Sequence, residues 1–174
     1  MDIHIELLEK LNSKDLCDLC DATEATMLDT HGFSMGSKQW SPPLRHELES
    51  YFKGVMLVPE RKLFVGRVDN TIAGSLQIVT PHISNQISSF AVSIDNHFVA
   101  PWARNIKLAR QLLEHAEKYA KEKKFQVIKL SVRENREAAI DLYEKCNYKR
   151  WGYLSHYEMN GQNIVGGYFY AKTL

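Results

Sequence analysis

The stretch from 88 to 132 limits the fold more than any other part of the chain. It opens as a β-rich run over 88–99, meets Pro101, and continues as an amphipathic run over 104–123. It closes with the apolar Phe125-Gln-Val-Ile-Lys-Leu-Ser-Val132. In the middle run Leu108, Ala109, Leu112, Leu113, Ala116, Tyr119 and Ala120 share one face at helical spacing. Lysines crowd its last turn, where the helix dipole favours cations. The closing run has the length and continuous apolarity of a strand covered on both faces. Strand, helix and buried strand in that order make a right-handed crossover, so 125–132 is expected to lie parallel to 88–99.

The flanking segments read as antiparallel additions. Residues 2–6 alternate like a short strand, and 13–28 carries Leu16, Leu19, Cys20 and Met27 at helical spacing behind Ser13 as the expected N-cap. A loop over 30–43, bearing glycines and the aromatics Phe33 and Trp40, is an expected functional surface, followed by a helix over 43–55. The runs 62–68 and 71–80 flank Asp69-Asn70 and predict a hairpin, with 88–99 as the third strand of the meander. Residues 135–146 place Ala138, Ala139, Leu142, Tyr143 and Cys146 on one helical stripe, with Asn147 where a left-handed cap is needed. The runs 148–158 and 162–172 flank Asn160-Gly161, the strongest short hairpin signal in the chain. The fold class is therefore α/β (α+β): a mixed sheet, antiparallel at both ends and parallel in the middle.

With 174 residues the chain is sized for one domain. A formal net charge of +1 lacks the excess of a dedicated nucleic-acid binder, so no nucleic acid is expected as partner and any basic site is local. Asp2, Glu6 and Glu9 interrupt what a signal peptide would need as its apolar core, and no apolar run spans a bilayer, so no membrane partner is expected. Three cysteines cannot close a disulfide framework, which fits a reducing cytoplasm. Cys17-Asp-Leu-Cys20 has no second pair at zinc spacing, so no metal is expected and the two are read as buried thiols one helical turn apart.

The local basic site is the start of the strongest helix, where Arg104 and Lys107 fall on the expected first turn. Unpaired N–H groups and the positive end of the dipole make such a place an anion site. On spacing alone, solvated basic residues at a helix start serve as an equal reading.

Two segments decide between them. Val99-x-Pro-x-x-Arg104-x-x-x-x-Ala109 followed by Leu112-Leu113 resembles the coenzyme-binding signature of the GNAT superfamily of acyl-CoA-dependent N-acetyltransferases, with Lys107 where that pattern usually has glycine. Val132-x-x-Asn135-x-x-Ala138-x-x-x-Leu142-Tyr143-Glu144-Lys145-x-x-Tyr148 is similar to the helix and strand that close that family's active site. The resemblance implies a GNAT-like single domain over 1–174, with about six to seven strands, antiparallel arms, a central parallel pair and about four flanking helices. It implies acetyl-CoA as cosubstrate, held by Phe98, Val99 and Ala100 on the strand, by Arg104, Asn105, Ile106, Lys107, Leu108 and Ala109 at the helix start, and by Asn135 and Tyr143. It also implies that the two parallel strands splay beyond Val99 to admit the coenzyme's arm.

The implied reaction is direct attack of a primary amine, of a small molecule or peptide, on the thioester in a ternary complex. Tyr143 is the candidate acid for the leaving thiol; its plainer reading is packing on the helix stripe. Asp95 and His97 are the candidate proton relay, sharing one face of their strand if no bulge intervenes. Asn135 is expected to cap its helix, to reach the coenzyme arm, or both. Ser131 and Arg133 are weaker candidates. Trp151 and Tyr153, with Phe33 and Trp40, are candidates for an acceptor pocket, and loops 30–43, 81–87 and 152–162 for acceptor recognition. The second reading is a non-catalytic acyl-CoA-binding or regulatory protein on the same fold. A nucleotide-binding module taking ATP at this helix start lacks the Gly-x-x-x-x-Gly-Lys-Ser/Thr loop. A homodimer stays open.

Overall fold

The computed structural model describes residues 1–30 and 44–174. Its core is a seven-stranded sheet in the order β1-β2-β3-β4-β5-β7-β6. The strands are β1 (Ile3–Leu7), β2 (Arg61–Val68), β3 (Thr71–Val79), β4 (Ala91–Val99), β5 (Val127–Arg133), β6 (Lys149–Asn160) and β7 (Asn163–Thr173). Among the described residues four α-helices flank them: α1 (Ser13–Thr30), α2 (Arg45–Leu57), α3 (Leu108–Glu122) and α4 (Glu137–Lys145). Every neighbouring pair is antiparallel except β4 and β5, the parallel pair that the crossover predicts.

Local chemistry explains most of these elements. Asp69 and Asn70 both take positive φ, 47° and 69°, the two-residue turn whose twist suits a hairpin, and Val68 faces Thr71 across it. Asn147, at φ 67°, ends α4 in the left-handed conformation, and Gly161, at φ 67°, turns β6 into β7. The cap of α1 is Asn12, one residue earlier than expected: its Oδ1 accepts the Asp15 N–H at 2.8 Å and its carbonyl the Leu16 N–H at 3.0 Å. An asparagine carbonyl reaches that donor as well as a serine hydroxyl does, so two adjacent capping residues are not separable by residue type.

One face of the sheet is covered by α3 and α4. There Leu108, Leu112, Leu113, Ala116 and Ala120 of α3 pack with Ile78, Val92, Ile128 and Tyr143. Each fully buried leucine in that row contributes on the order of 2 kcal/mol. The other face is covered by α1 and α2 through Leu19, Cys20, Leu48 and Phe52 against Leu63, Val65 and Ile72.

The parallel strands part company early. Pairing runs only through Ala91–Val127, Val92–Ile128 and Ser93–Lys129. The splay expected beyond Val99 thus opens at Ile94, and the edge of β4 facing β5 carries no strand from there on. A β-bulge is the cause that geometry offers. Ser75 faces Phe98 while Gln77 faces Asp95, so β4 holds one residue more than β3 between those pairs, and Asn96 within the extra turn has φ 47°.

Candidate active site

The approach to α3 differs from the expected helix start at Arg104. Pro101–Ala103 forms a single 3-10 turn, residues 104–107 follow as a loop, and α3 begins at Leu108. Asn105 at φ 64° and Lys107 at φ 65°, ψ 15° are both left-handed, which no α-helix accommodates. The loop leaves the N–H groups of residues 105–110 without an acceptor among the described residues; the next one, of Gln111, returns to the Lys107 carbonyl. Six consecutive donors at the positive end of a fifteen-residue helix make a concentrated anion site.

These donors lie at a cleft of ≈ 960 Å³ that Arg104, Asn105, Lys107, Leu108 and Ala109 line from one side and Phe98 and Val99 from the floor. Asn135 and Tyr143 line it from α4 and its entry. The fold thus gathers most residues expected at a coenzyme site. Ala100 and Ile106 are exceptions: Ala100 is fully buried against Ala22, Met27 and Phe98, and Ile106 packs on the main core. Strand and loop alternation turns them inward between neighbours that face the cleft. Asn135 does not cap α4, whose N-cap is Arg136 with no side-chain cap bond. Arg104 pairs with Asp29 at 2.6 Å on the surface, and Arg110 with Glu114 at 2.9 Å.

At the inner end stand His97 and Tyr143, their rings tilted at 5.8 Å. His97 Nε2 lies 3.0 Å from the Ala109 carbonyl, which can only accept, so this nitrogen carries the proton. Nδ1 then accepts the Tyr143 hydroxyl at 3.0 Å. Burial, only partly offset by the bond to Ala109, pulls the imidazole from 6.5 down to about 4, so the ring is neutral near pH 7. Burial likewise holds the Tyr143 phenol well above its usual range. The Tyr143 ring packs against Tyr148 at 5.9 Å, and the same residue lines the cleft.

Where β4 and β5 diverge, a second cavity of ≈ 190 Å³ opens, lined by Asp95, Asn96, Ser131, Arg133, Tyr157 and Glu158 among others. His97, Arg136, Ala139 and Tyr143 line both cavities and mark their junction. The bulge settles the shared-face expectation against it. Asp95 pairs with Arg61 at the start of β2 at 2.9 Å, and the Asn96 amide donates to the Tyr51 hydroxyl on α2. His97 points the other way, toward α3 and α4. Arg133, buried, pairs with Glu158 at 3.5 Å, and Ser131 shares a hydrogen bond with Tyr157 at 2.6 Å.

Arg136, Tyr157 and Glu158 were not legible as site residues. Arg136 is the N-cap of α4 and looks solvated in the sequence. Tyr157 and Glu158 sit where β6 slips by two residues against β7, since Leu154 faces Gly167 and Glu158 faces Val165, which erases the alternation that might have marked them. Other expectations fall elsewhere. Trp151 and Tyr153 stack on Phe169 and Tyr168 on exposed β6 and line neither cavity. Cys17 is exposed while Cys20 is buried, because one helical turn rotates a helix face by less than a full circle. Phe33, Trp40 and the rest of loop 31–43 lie outside the described residues. Among the described residues no group of three or more His, Cys, Asp or Glu is arranged to hold a metal, and no helix is long and apolar enough to cross a membrane.

Comparison with known proteins gives this geometry a context. Residues 25–148 match the model of the Acetyltransferase (GNAT) family. A protein of Azospirillum brasilense, described as an uncharacterized N-acetyltransferase in the hisH-hisA intergenic region, is 43% identical over 134 residues, 76% of this chain and 77% of that one. Among solved structures, an acetyltransferase of the GNAT family from Streptococcus pneumoniae is 18% identical with a TM-score of 0.79, covering 99% of each chain. A Salmonella typhimurium structure with its cofactor acetyl-CoA is 13% identical with a TM-score of 0.73, covering 98% of this chain and 93% of that one. At such identities the two structures speak for the fold.

Proposed function

From the premise that this chain belongs to the GNAT family of acetyltransferases, we propose that it moves the acetyl group of acetyl-CoA to a primary amine by direct attack in a ternary complex. The observation that carries this reading is one continuous cleft, from the unclaimed N–H groups of residues 105–110 to the Tyr143 hydroxyl. The residues present fit the coenzyme: donors and the Arg104, Lys107 and Arg110 cations suit its diphosphate, and the bare edge of β4 suits the amides of its arm. Its thioester supplies the activated acyl carbon.

The chain's own groups divide the remaining work. The N–H groups of 105–109, with Arg104, bind the diphosphate and fix the depth at which the thioester sits. The open edge of β4 past Ser93 orients the arm and offers backbone donors to the carbonyl oxygen as charge develops there. The amine loses a proton and forms the C–N bond; the C–S bond breaks and the sulfur gains a proton. A lysine-like amine has a solution pKa of about 10.4 and a cysteine-like thiol about 8.5, so both transfers need help near neutral pH. Tyr143 gives its proton to the sulfur, its single O–H rotating off His97 Nδ1 as the C–S bond breaks. His97 is a positioning residue here: with Nε2 held by the Ala109 carbonyl, its Nδ1 holds the phenol oxygen in place at rest rather than taking the amine proton. The amine proton leaves through the smaller cavity, where Asp95 and Glu158 stand. The three free cysteines suit a reducing, cytoplasmic compartment.

Thiol release from acetyl-CoA against a panel of primary amines tests the reading. Amine-dependent release is expected. Tight coenzyme binding with no release for any amine would favour the non-catalytic acyl-CoA-binding protein instead.

A further inference from the structure

Among the described residues the charged groups at the smaller cavity leave one guanidinium without a carboxylate paired to it. At the smaller cavity Asp95 is paired with Arg61 and Glu158 with Arg133. His97 is neutral near pH 7. That leaves Arg136, which is half-buried, lines both cavities and makes no side-chain hydrogen bond or ion pair with any described residue. Its neighbour Glu137 is exposed, lines the larger cleft and makes no ion pair with it among the described residues. Burial opposes its proton most; Arg133 and Arg104 oppose it as well, and Tyr143 and Glu158 offset them only in part. A half-buried cation next to a second buried arginine is costly unless an anion meets it.

The coenzyme's diphosphate is not that anion on this geometry. It has its own donors at residues 105–110 and its own cation in Lys107 on the loop before α3, Arg104 and Arg110 being paired with Asp29 and Glu114. Arg136 stands at the inner junction beside Tyr143, where acyl donor and amine meet. An anion there belongs to the acceptor. The small cavity, ≈ 190 Å³ among the described residues, is of a size for a compact molecule. A guanidinium takes a carboxylate with two parallel hydrogen bonds, which fixes the orientation of whatever carries it.

We propose that Arg136 binds a carboxylate of the acceptor, so that the amine acetylated belongs to a small amino acid-like molecule carrying amine and carboxylate on one short skeleton. This rests on the amine-acetylation reading above. The carboxylate anchors on Arg136, the amine turns toward the thioester, and the ammonium proton departs on the side of Asp95 and Glu158. Arg136 acts as a specificity determinant for the acceptor, separate from the coenzyme's own donors.

The test compares amino acids with their decarboxylated amines and their carboxamides as acceptors, at saturating acetyl-CoA. For the wild type kcat/KM is expected to be 10-fold to 100-fold higher for the carboxylated member of each pair, the range a charge-assisted bond supports. Arg136→Gln should remove that preference through the acceptor KM while leaving the acetyl-CoA KM in place, and Arg136→Lys should restore part of it. Equal use of both members by the wild type overturns the proposal. So does an Arg136→Gln variant that keeps the preference but loses acetyl-CoA affinity, which assigns the guanidinium to the coenzyme. If no amine of either kind is acetylated, transfer itself has failed. Calorimetric titration of the same compounds into enzyme saturated with CoA then still reads the site. Binding of the carboxylated members alone, abolished in Arg136→Gln, supports it; no binding overturns it.

Discussion

Tyr143 and His97 form a pair whose members constrain each other. The Ala109 carbonyl dictates which imidazole nitrogen bears the proton, and that choice leaves the other to hold the phenol. Tyr143→Phe removes the hydroxyl and little else, since the ring stays packed against Tyr148. Turnover is expected to fall by 10²-fold or more, on the order assigned to a positioned general acid, with acetyl-CoA affinity unchanged within about twofold. Steady-state kinetics beside calorimetry separates the two, and undiminished turnover removes Tyr143 from the chemistry. The His97 ring also makes stability depend on pH. Its folded pKa of about 4 lies below the unfolded 6.5, so above 6.5 neither state takes a proton there. As pH falls from 6.5 toward 4 the unfolded chain takes one that the fold refuses, and stability is lost, by roughly 2 kcal/mol between pH 7 and pH 5. Urea unfolding at those two values, repeated on His97→Gln, reads the difference; an equal loss in the variant assigns it to other groups.

At the scale of elements, the site depends on two departures from regular structure, the bulge in β4 and the loop before α3. The bulge needs β3 to come close: a Cβ added at Gly74 would sit 2.6 Å from the Phe98 carbonyl oxygen. Backbone cannot yield as a flexible side chain does. Gly74→Ala is therefore expected to cost about 1–3 kcal/mol and to weaken acetyl-CoA binding by displacing the strand under the cleft. Thermal unfolding and calorimetry check it together, and an alanine variant with wild-type values for both contradicts the close approach. At the loop, Lys107 occupies a left-handed conformation that glycine adopts without strain. Lys107→Gly should raise stability by about 0.5–1 kcal/mol while removing a cation from the diphosphate end, so coenzyme affinity falls, and more at low salt than at high. An unchanged salt dependence takes Lys107 away from the phosphates.

The molecule as a whole shows which information is local and which is not. The Asp69-Asn70 hairpin, the apolar row of α3 and the parallel pair were all legible, because turn chemistry, helical period and crossover handedness act within short spans of chain. So was the grouping of Phe98, Val99, Arg104, Asn105, Lys107, Leu108 and Ala109 along one cleft, since they lie on two consecutive elements. The opposite orientation of Asp95 and His97 was not. It is set by Asn96, whose amide finds Tyr51 forty-five residues earlier in the chain, on α2. Nor was Arg136, an ordinary surface arginine by sequence, whose isolation follows only from Arg133 and Arg61 taking the nearby carboxylates. Contacts made across the fold decide both.

The coenzyme's diphosphate is expected to seat on the N–H groups ahead of α3 that find no acceptor among the described residues. Amide-resolved NMR during a titration with CoA measures it directly. The prediction is that the amide protons of residues 105–109 move strongly downfield and saturate together, while in Arg104→Ala the same shifts appear at a higher CoA concentration. Binding of CoA that leaves those five amides where they were, with the large shifts elsewhere, contradicts it.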